Sequence, residues 1–329
     1  MRILVLGGTV FLGRQVAERA RDEGHDVTCL ARGASGTFPA GVRQVRADRA
    51  EPGAYAAVGS GDWDAVIDVS WQPGWVRSAL AALADRARHW TYVSSCSVYV
   101  DQDTPGADES ASLNEPLPRE LATREQYGEA KAACERACSL SVGDRLHISR
   151  PGLLAGPGDL SDRLGYWPGR LVRGGDVLVP AEDGPAQVLD VRDLAAFLLL
   201  VARRGDRLIA NAVGAATSLH SVLAVADEVA TGGSRVTRVE ADDSWLLAQG
   251  VEPYMGPESL PLWLPVDGFA GFSARVDTRA MHAGLARRPV AETLADALDD
   301  ERRLGLDRPR RAGLSPGRER ELVTAWREG

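Results

Sequence analysis

A chain of 329 residues, 44% hydrophobic and 26% charged, is long enough to bury a large core and too ordinary in composition to be fibrous, membrane-embedded or disordered. Its formal net charge of −8 is spread without like-charge blocks, which argues against a nucleic-acid partner, whose binding surface would carry a basic stripe with interleaved aromatics. The cysteines, Cys29, Cys96, Cys134 and Cys138, are too few and too scattered for a disulfide scaffold, so reduced thiols in a cytoplasmic protein fit best.

Residues 2–6 read as a buried strand, and Gly7-Gly8-Thr9-Val10-Phe11-Leu12-Gly13 turns from it into a helix. The apolar face of that helix carries Leu12, Val16 and Ala20, with Gly24 as its C′ residue. The apolar run at the start stops at Gly7-Gly8, and the later run 194–202 is far too short for a bilayer, so neither secretion nor a membrane partner is expected. Further short apolar runs fall at 27–30, 42–45, 65–69, 90–94 and 146–149, with helical patterns at 76–87 and 126–140 between them. Strands alternating with helices predict an α/β fold, a Rossmann-type doubly wound parallel sheet covered on both faces.

Beyond Pro151 the rhythm changes, and Gly and Pro crowd 152–158, 165–168 and 251–265. A smaller C-terminal substrate lobe is expected there. It has a helix after Asp193, another at 219–230, a strand at 235–239, a helix at 290–304 and a last helix from a Ser315 N-cap to Trp326. The expected division is a dinucleotide-binding domain at 1–160 and a substrate-binding lobe at 161–329, interleaved with the first around 185–215.

A glycine turn between a first strand and a first helix lets backbone N–H groups and the helix N-terminus face a pyrophosphate. Gly7, Thr9, Phe11, Leu12 and Gly13 are the expected contacts, although Val10 stands where the usual short-chain pattern has a middle glycine. The second strand ends in Ala31-Arg32 rather than in an acidic residue. A base there pairs with a 2′-phosphate, so NADP(H) is preferred over NAD(H), with Arg14 reinforcing the charge. Asp48 is positioned to contact the adenine, and Asp68, Val69 and Ser70 to lie beside the cofactor.

Of 38 basic residues, 37 are Arg and one, Lys131, is Lys. It falls four residues after Tyr127 in a helical pattern, so phenol and ammonium share a face. Thr123 and Gln126 have capping-box spacing, which puts Tyr127 near the helix start. A compact ammonium stabilises a phenol anion and can donate to ribose hydroxyls, work for which a broad guanidinium is poorly shaped.

The run Gly7 to Gly13, the strand end Tyr92-Val93-Ser94-Ser95-Cys96-Ser97-Val98-Tyr99, the Tyr127/Lys131 pair and Arg150-Pro151-Gly152-Leu153-Leu154-Ala155-Gly156-Pro157-Gly158 occur in that order. Together they resemble the extended short-chain dehydrogenases/reductases, the NAD-dependent epimerase/dehydratase superfamily. The resemblance is strong over roughly the first 160 residues, and the stretch Gln187 to Leu194 is similar to one that lines the substrate lobe in that family. It implies that Ser95 polarises the substrate oxygen, with Ser94 and Ser97 as substitutes, and that Ser94, Pro151, Gly152 and Leu153 border the cofactor. It also implies a homodimer as one assembly. Val10 resembles the atypical branch that includes chloroplast stem-loop-binding proteins, some of which bind RNA.

The span from Asp68 to Trp90 is short and carries Trp71 and Trp75 where nucleotide-sugar members have a longer segment with an Asn. An apolar mouth is therefore expected, with Trp71, Trp75, Cys96, Trp167 and Trp263 as pocket walls. The five histidines form no ligand-spaced pair, so no metal is expected. The expected activity is hydride transfer to or from a carbonyl or alcohol of a small apolar or aromatic metabolite. The rivals are an epimerase or dehydratase that oxidises a sugar transiently, and a non-catalytic NADP sensor or RNA-binding protein.

Overall fold

Ile3, Leu4, Val5 and Leu6 have no exposed surface, as a strand covered on both faces requires. In the computed structural model, which describes residues 1–231 and 236–329, they form β1 (Arg2–Leu6) at the middle of the sheet. The chain continues through α1 (Phe11–Asp22), β2 (Asp26–Ala31), β3 (Arg43–Arg46), β4 (Ala65–Asp68), α2 (Pro73–Leu83), β5 (Trp90–Val93), α3 (Tyr127–Val142) and β6 (Leu146–Pro151). Gly24 is the C′ residue of α1 as predicted, at φ +81° just past the cap Glu23.

After β6 come β7 (Leu153–Ala155), α4 (Arg163–Leu171), β8 (Gly175–Pro180), β9 (Pro185–Ala186), β10 (Val188–Asp190), α5 (Val191–Arg204) and β11 (Leu208–Ala212). The remainder is β12 (Thr217–Ser218), α6 (Leu219–Thr231), β13 (Val236–Ala241), α7 (Asp243–Ala248), β14 (Glu252–Tyr254), β15 (Ser259–Pro261), α8 (Thr278–Ala283), α9 (Val290–Leu304) and α10 (Pro316–Glu328). Arg235, the first residue of one expected strand, lies outside the described residues. The last helix is capped as its sequence predicts, by the Ser315 side chain accepting from the Arg318 N–H.

Seven parallel strands order as β11-β6-β5-β4-β1-β2-β3. The order reverses between β1 and β4, and ligands of open α/β sheets bind outside the carboxyl ends of the strands at such a switch point. One face packs on α1 and α5 through Val16, Ala17, Leu194 and Leu198; the other packs on α2 and α3 through Val76, Leu80, Cys134 and Cys138. A third apolar cluster, built around Trp167, Val177, Leu223, Trp263 and Leu294, holds together the elements after β6.

One stretch without a predicted element proves helical, and one helix start is corrected. The Gly/Pro-rich stretch at 165–168 is helical, because α4 buries Leu164, Tyr166, Trp167 and Leu171 and this packing outweighs the N–H that Pro168 lacks. The helix expected after Asp193 begins earlier, at Val191, where the Asp190 carboxylate accepts the Arg192 N–H at 2.8 Å. Among the described residues no helix is long and apolar enough to cross a membrane.

Candidate active site

Every strand of the crevice ends in a predicted site residue. At the end of β1 the turn closes so tightly that a Cβ on Gly13 would stand 2.2 Å from the Gly7 carbonyl oxygen, and Gly7 itself sits at φ +106°. Glycine is therefore the residue this cradle admits at both positions. Val10 caps α1 in an extended conformation, and Phe11 follows at φ +37°, a strained value for a non-glycine residue. Thr9 is buried beside it and Leu12 packs into the sheet. Arg14 turns away from the cradle and bonds Thr37, donating to its carbonyl at 3.0 Å and to its hydroxyl at 3.2 Å, so it fastens the loop after β2.

At the end of β2, Arg32 is half exposed, 3.7 Å from the Asp48 carboxylate, and its guanidinium lies 5.7 Å from the Trp75 ring. Trp75 thus belongs to the Arg32 corner rather than to an apolar mouth shared with Trp71. Its carbonyl accepts from Arg49, Tyr55 and Ser78, and its indole N–H is buried without a partner. Asp68 is fully buried, and its carboxylate is consumed by Arg49 in a two-pronged pair at 2.8 and 2.7 Å and by the Ser70 N–H. Only its backbone is left for a ligand, and its side chain fixes the turn from Asp68 through Val69 to Ser70.

Lys131 rises from the first turns of α3 into the space between β4 and β5. Its ammonium is buried and donates to the carbonyls of Ser70 at 3.0 Å and Val93 at 2.6 Å, 4.9 Å from the Tyr92 ring and 5.8 Å from the Tyr127 ring. Two of its three N–H donors are thereby used and one remains. The hydroxyls of Ser70 and Ser94 are buried without partners beside it. A group rich in hydroxyls and phosphates, such as a dinucleotide, fits this donor set: the turn 7–13 would take the pyrophosphate, and Lys131, Ser70 and Ser94 the ribose.

Tyr127 opens α3 and packs against Trp71, ring centroids 5.6 Å apart. The helix start is pressed onto the turn after β5, where a Cβ on Gly128 would lie 2.4 Å from the Ser97 carbonyl oxygen. Ser95 caps that turn: its oxygen accepts the Ser97 N–H at 3.1 Å, and its hydroxyl faces that of Ser97 at 3.2 Å. Phenol, ammonium and Ser95 are thus held by elements in direct contact. The Thr123 N–H donates to the Gln126 side chain at 3.3 Å, but Gln126 is itself the N-cap of α3, so this contact braces the turn before the helix and is not a capping box.

On the opposite side, Cys96 is buried and donates to the Arg150 carbonyl at 3.2 Å. Pro151 ends β6, Gly152 lies against Val213, and Leu153 begins β7, which pairs with β10. Trp167 and Trp263 do not reach the site. Both are core residues of the third cluster, with indole N–H groups donated to the Pro261 carbonyl and the Asp243 carboxylate. Three supports were missed from sequence. Arg49 anchors Asp68, Asn114 donates to the Ser97 carbonyl at 3.0 Å, and Gln72 clamps the Ala122 backbone through both ends of its amide.

Solved structures of the same fold include a protein from Burkholderia cenocepacia J2315 assigned as an epimerase, 24% identical with a TM-score of 0.70 over 92% of this chain and 98% of that one. The UDP-glucose 4-epimerase of Thermotoga maritima is 15% identical, with a TM-score of 0.68 over 92% of this chain and 99% of that one. The UDP-N-acetylglucosamine 4-epimerase of Bacillus cereus is 14% identical, with a TM-score of 0.65 over the same shares. At these identities the likeness is one of fold. No curated protein matches the chain. The model of the NAD-dependent epimerase/dehydratase family matches residues 3–84 and 75–213, from β1 through β11. The chain is accordingly a member of the NAD-dependent epimerase/dehydratase family.

Proposed function

We propose that this protein is an NADP(H)-dependent oxidoreductase acting on the carbonyl or alcohol of a small apolar or aromatic metabolite. What carries the reading is the placement of Tyr127 and Lys131 on one helix face, docked through Gly128 onto the turn that Ser95 caps. The nicotinamide, when bound, supplies the hydride. Ser95 orients the substrate oxygen by hydrogen bonding, and in the reducing direction Tyr127 gives its hydroxyl proton to that oxygen as the C=O π electrons move onto it. The Lys131 ammonium supplies positive charge beside the phenol oxygen that has lost its proton. Arg32 at the end of β2 favours the 2′-phosphate of NADP(H). Trp71, packed at a tilt against Tyr127, supports an apolar or aromatic substrate body.

Family membership favours one alternative, transient oxidation followed by return of the hydride, as in epimerisation or dehydration. A panel of aromatic and aliphatic aldehydes and ketones, followed by net NADPH consumption, separates the two. Tyr127→Phe is expected to lower turnover by about 100-fold or more while leaving NADPH binding within about twofold. Unchanged turnover in that variant would remove Tyr127 from the chemistry. NADPH binding without net consumption with any carbonyl would favour the epimerase or dehydratase reading.

A further inference from the structure

The C-terminal segment 269–276 runs along the loop that leaves the Ser95 turn. The Gly271 N–H donates to the Gln102 carbonyl at 2.9 Å, Gly106 N–H to Ala274 at 2.7 Å and Val276 N–H to Ala107 at 3.2 Å. This pairing sets Arg275 on Tyr99, four residues after Ser95, its guanidinium 4.1 Å from the ring centroid. Arg275 is 3% exposed and donates from Nη2 to the Asp101 carbonyl and the Gln102 side chain, at 2.7 and 2.8 Å. Its Nε and Nη1 are buried without partners, and among the described residues no carboxylate lies within ion-pair distance of it.

The other buried guanidiniums do not share this condition. Arg150 is paired with Glu135 and Arg49 with Asp68, each at 2.7 Å. A buried cation with two unused donors and no carboxylate in direct contact, Asp101 acting on it only at longer range, is costly to keep unless a partner arrives from outside the chain. Burial accordingly holds the Arg275 guanidinium below its usual range.

Cys96, next in the chain to Ser95, packs in one small apolar cluster with Tyr99, the ring on which Arg275 lies. Tyr254 is held at φ +65°, its ring 5.2 Å from the Arg163 guanidinium and 5.3 Å from the Phe272 ring. A bulky residue fixed in the left-handed region is a place where the surrounding fold has overridden local preference, which is common at ligand clamps.

We propose that Arg275 is a substrate-binding residue that receives an oxyanion, a carboxylate or a phosphate, at the Cys96 end of the site, with the Tyr254 phenol beside it. This rests on the oxidoreductase reading and sharpens its substrate class to an aromatic carbonyl compound bearing an anionic group.

The test is calorimetric titration of the full chain, with and without NADPH, with 4-carboxybenzaldehyde, 4-formylphenyl phosphate and the neutral methyl 4-formylbenzoate. At least one anionic probe should bind about tenfold more tightly than the ester. The acid arm against the phosphate arm tells which oxyanion is taken. Arg275→Met should abolish the difference while leaving the ester and NADPH unchanged, and Arg275→Lys should keep part of it. If Arg275→Met fails to fold, Arg275→Lys and Tyr254→Phe decide, with an expected loss of about threefold confined to the anionic probe. Equal binding of ester and anions by the wild-type protein, or losses shared by all three probes, would overturn the proposal. Failure to bind NADPH counts against the oxidoreductase reading instead, and leaves the charge preference measurable.

Discussion

Replacing Arg32 by Ala should discriminate between the two nicotinamide dinucleotides. Its partner in the structure is Asp48 at 3.7 Å, both side chains are more than a third exposed, and such a surface pair is worth at most about 1 kcal/mol. A 2′-phosphate would replace that contact with charge-assisted hydrogen bonds worth roughly 1.5–3 kcal/mol, reduced to about 1–2 kcal/mol by the same exposure. Arg32→Ala should therefore weaken NADPH binding by about 5- to 30-fold and leave NADH within about twofold. Asp48→Asn, which removes the competing carboxylate, should tighten NADPH by up to about fivefold. Fluorescence titration of both cofactors gives the numbers, and the gap should shrink in high salt because the charges are exposed. Equal weakening of NADPH and NADH, or no change in either, would refute the assignment and leave Arg32 as a solvated partner of Asp48.

Gly128→Ala drives a methyl group to 2.4 Å from the Ser97 carbonyl oxygen, so α3 must back away from the Ser95 turn. Turnover should fall by about 100-fold in a steady-state assay, whereas the thermal midpoint moves little, because better helix propensity returns about 1 kcal/mol. Arg49→Met strands a fully buried Asp68 carboxylate and should cost about 3–5 kcal/mol in urea unfolding, part of it recovered by adding Asp68→Asn.

His147 has both ring nitrogens buried without partners, and burial pulls its pKa down to about 3. It is neutral when folded, whereas the unfolded chain takes up a proton near pH 6.5. This group's stability contribution is therefore complete above pH 6.5 and is lost as the pH falls towards 3, by up to about 1.4 kcal/mol per pH unit. Unfolding free energies between pH 4.5 and 7.5 should show that slope flattened by about one proton in His147→Leu, and an unchanged slope would exclude His147 as its source.

The strands β1, β2 and β4 to β6 were legible to within two residues because a strand buried on both faces leaves a continuous apolar run in the sequence, whereas the edge strand β3 buries only Val45 and shows less of one. The Tyr127/Lys131 pair was legible because a lone lysine among 37 arginines stands out. That same uniformity hid Arg49 and Arg275, whose roles come from tertiary partners 19 or more positions away. Trp71 and Trp75 looked like one wall because both fall in the short span after Asp68, but α2 begins at Pro73 between them, and Trp71 packs on Tyr127 whereas Trp75 meets Arg32. The helix α4 was hidden for a different reason: its Gly165, Pro168 and Gly169 are poor helix formers, and burial against α6 and α9 overrules them.

The buried position of the only lysine makes the protein unusual towards amine chemistry. With no second side-chain amine to react and Lys131 at 2% exposure, held by two carbonyls, an acylating reagent can reach it only when α3 and the β4 and β5 ends part. The rate of covalent labelling at this single ε-nitrogen would then serve as a clock for local opening of the crevice, and any ligand that closes the crevice would slow it.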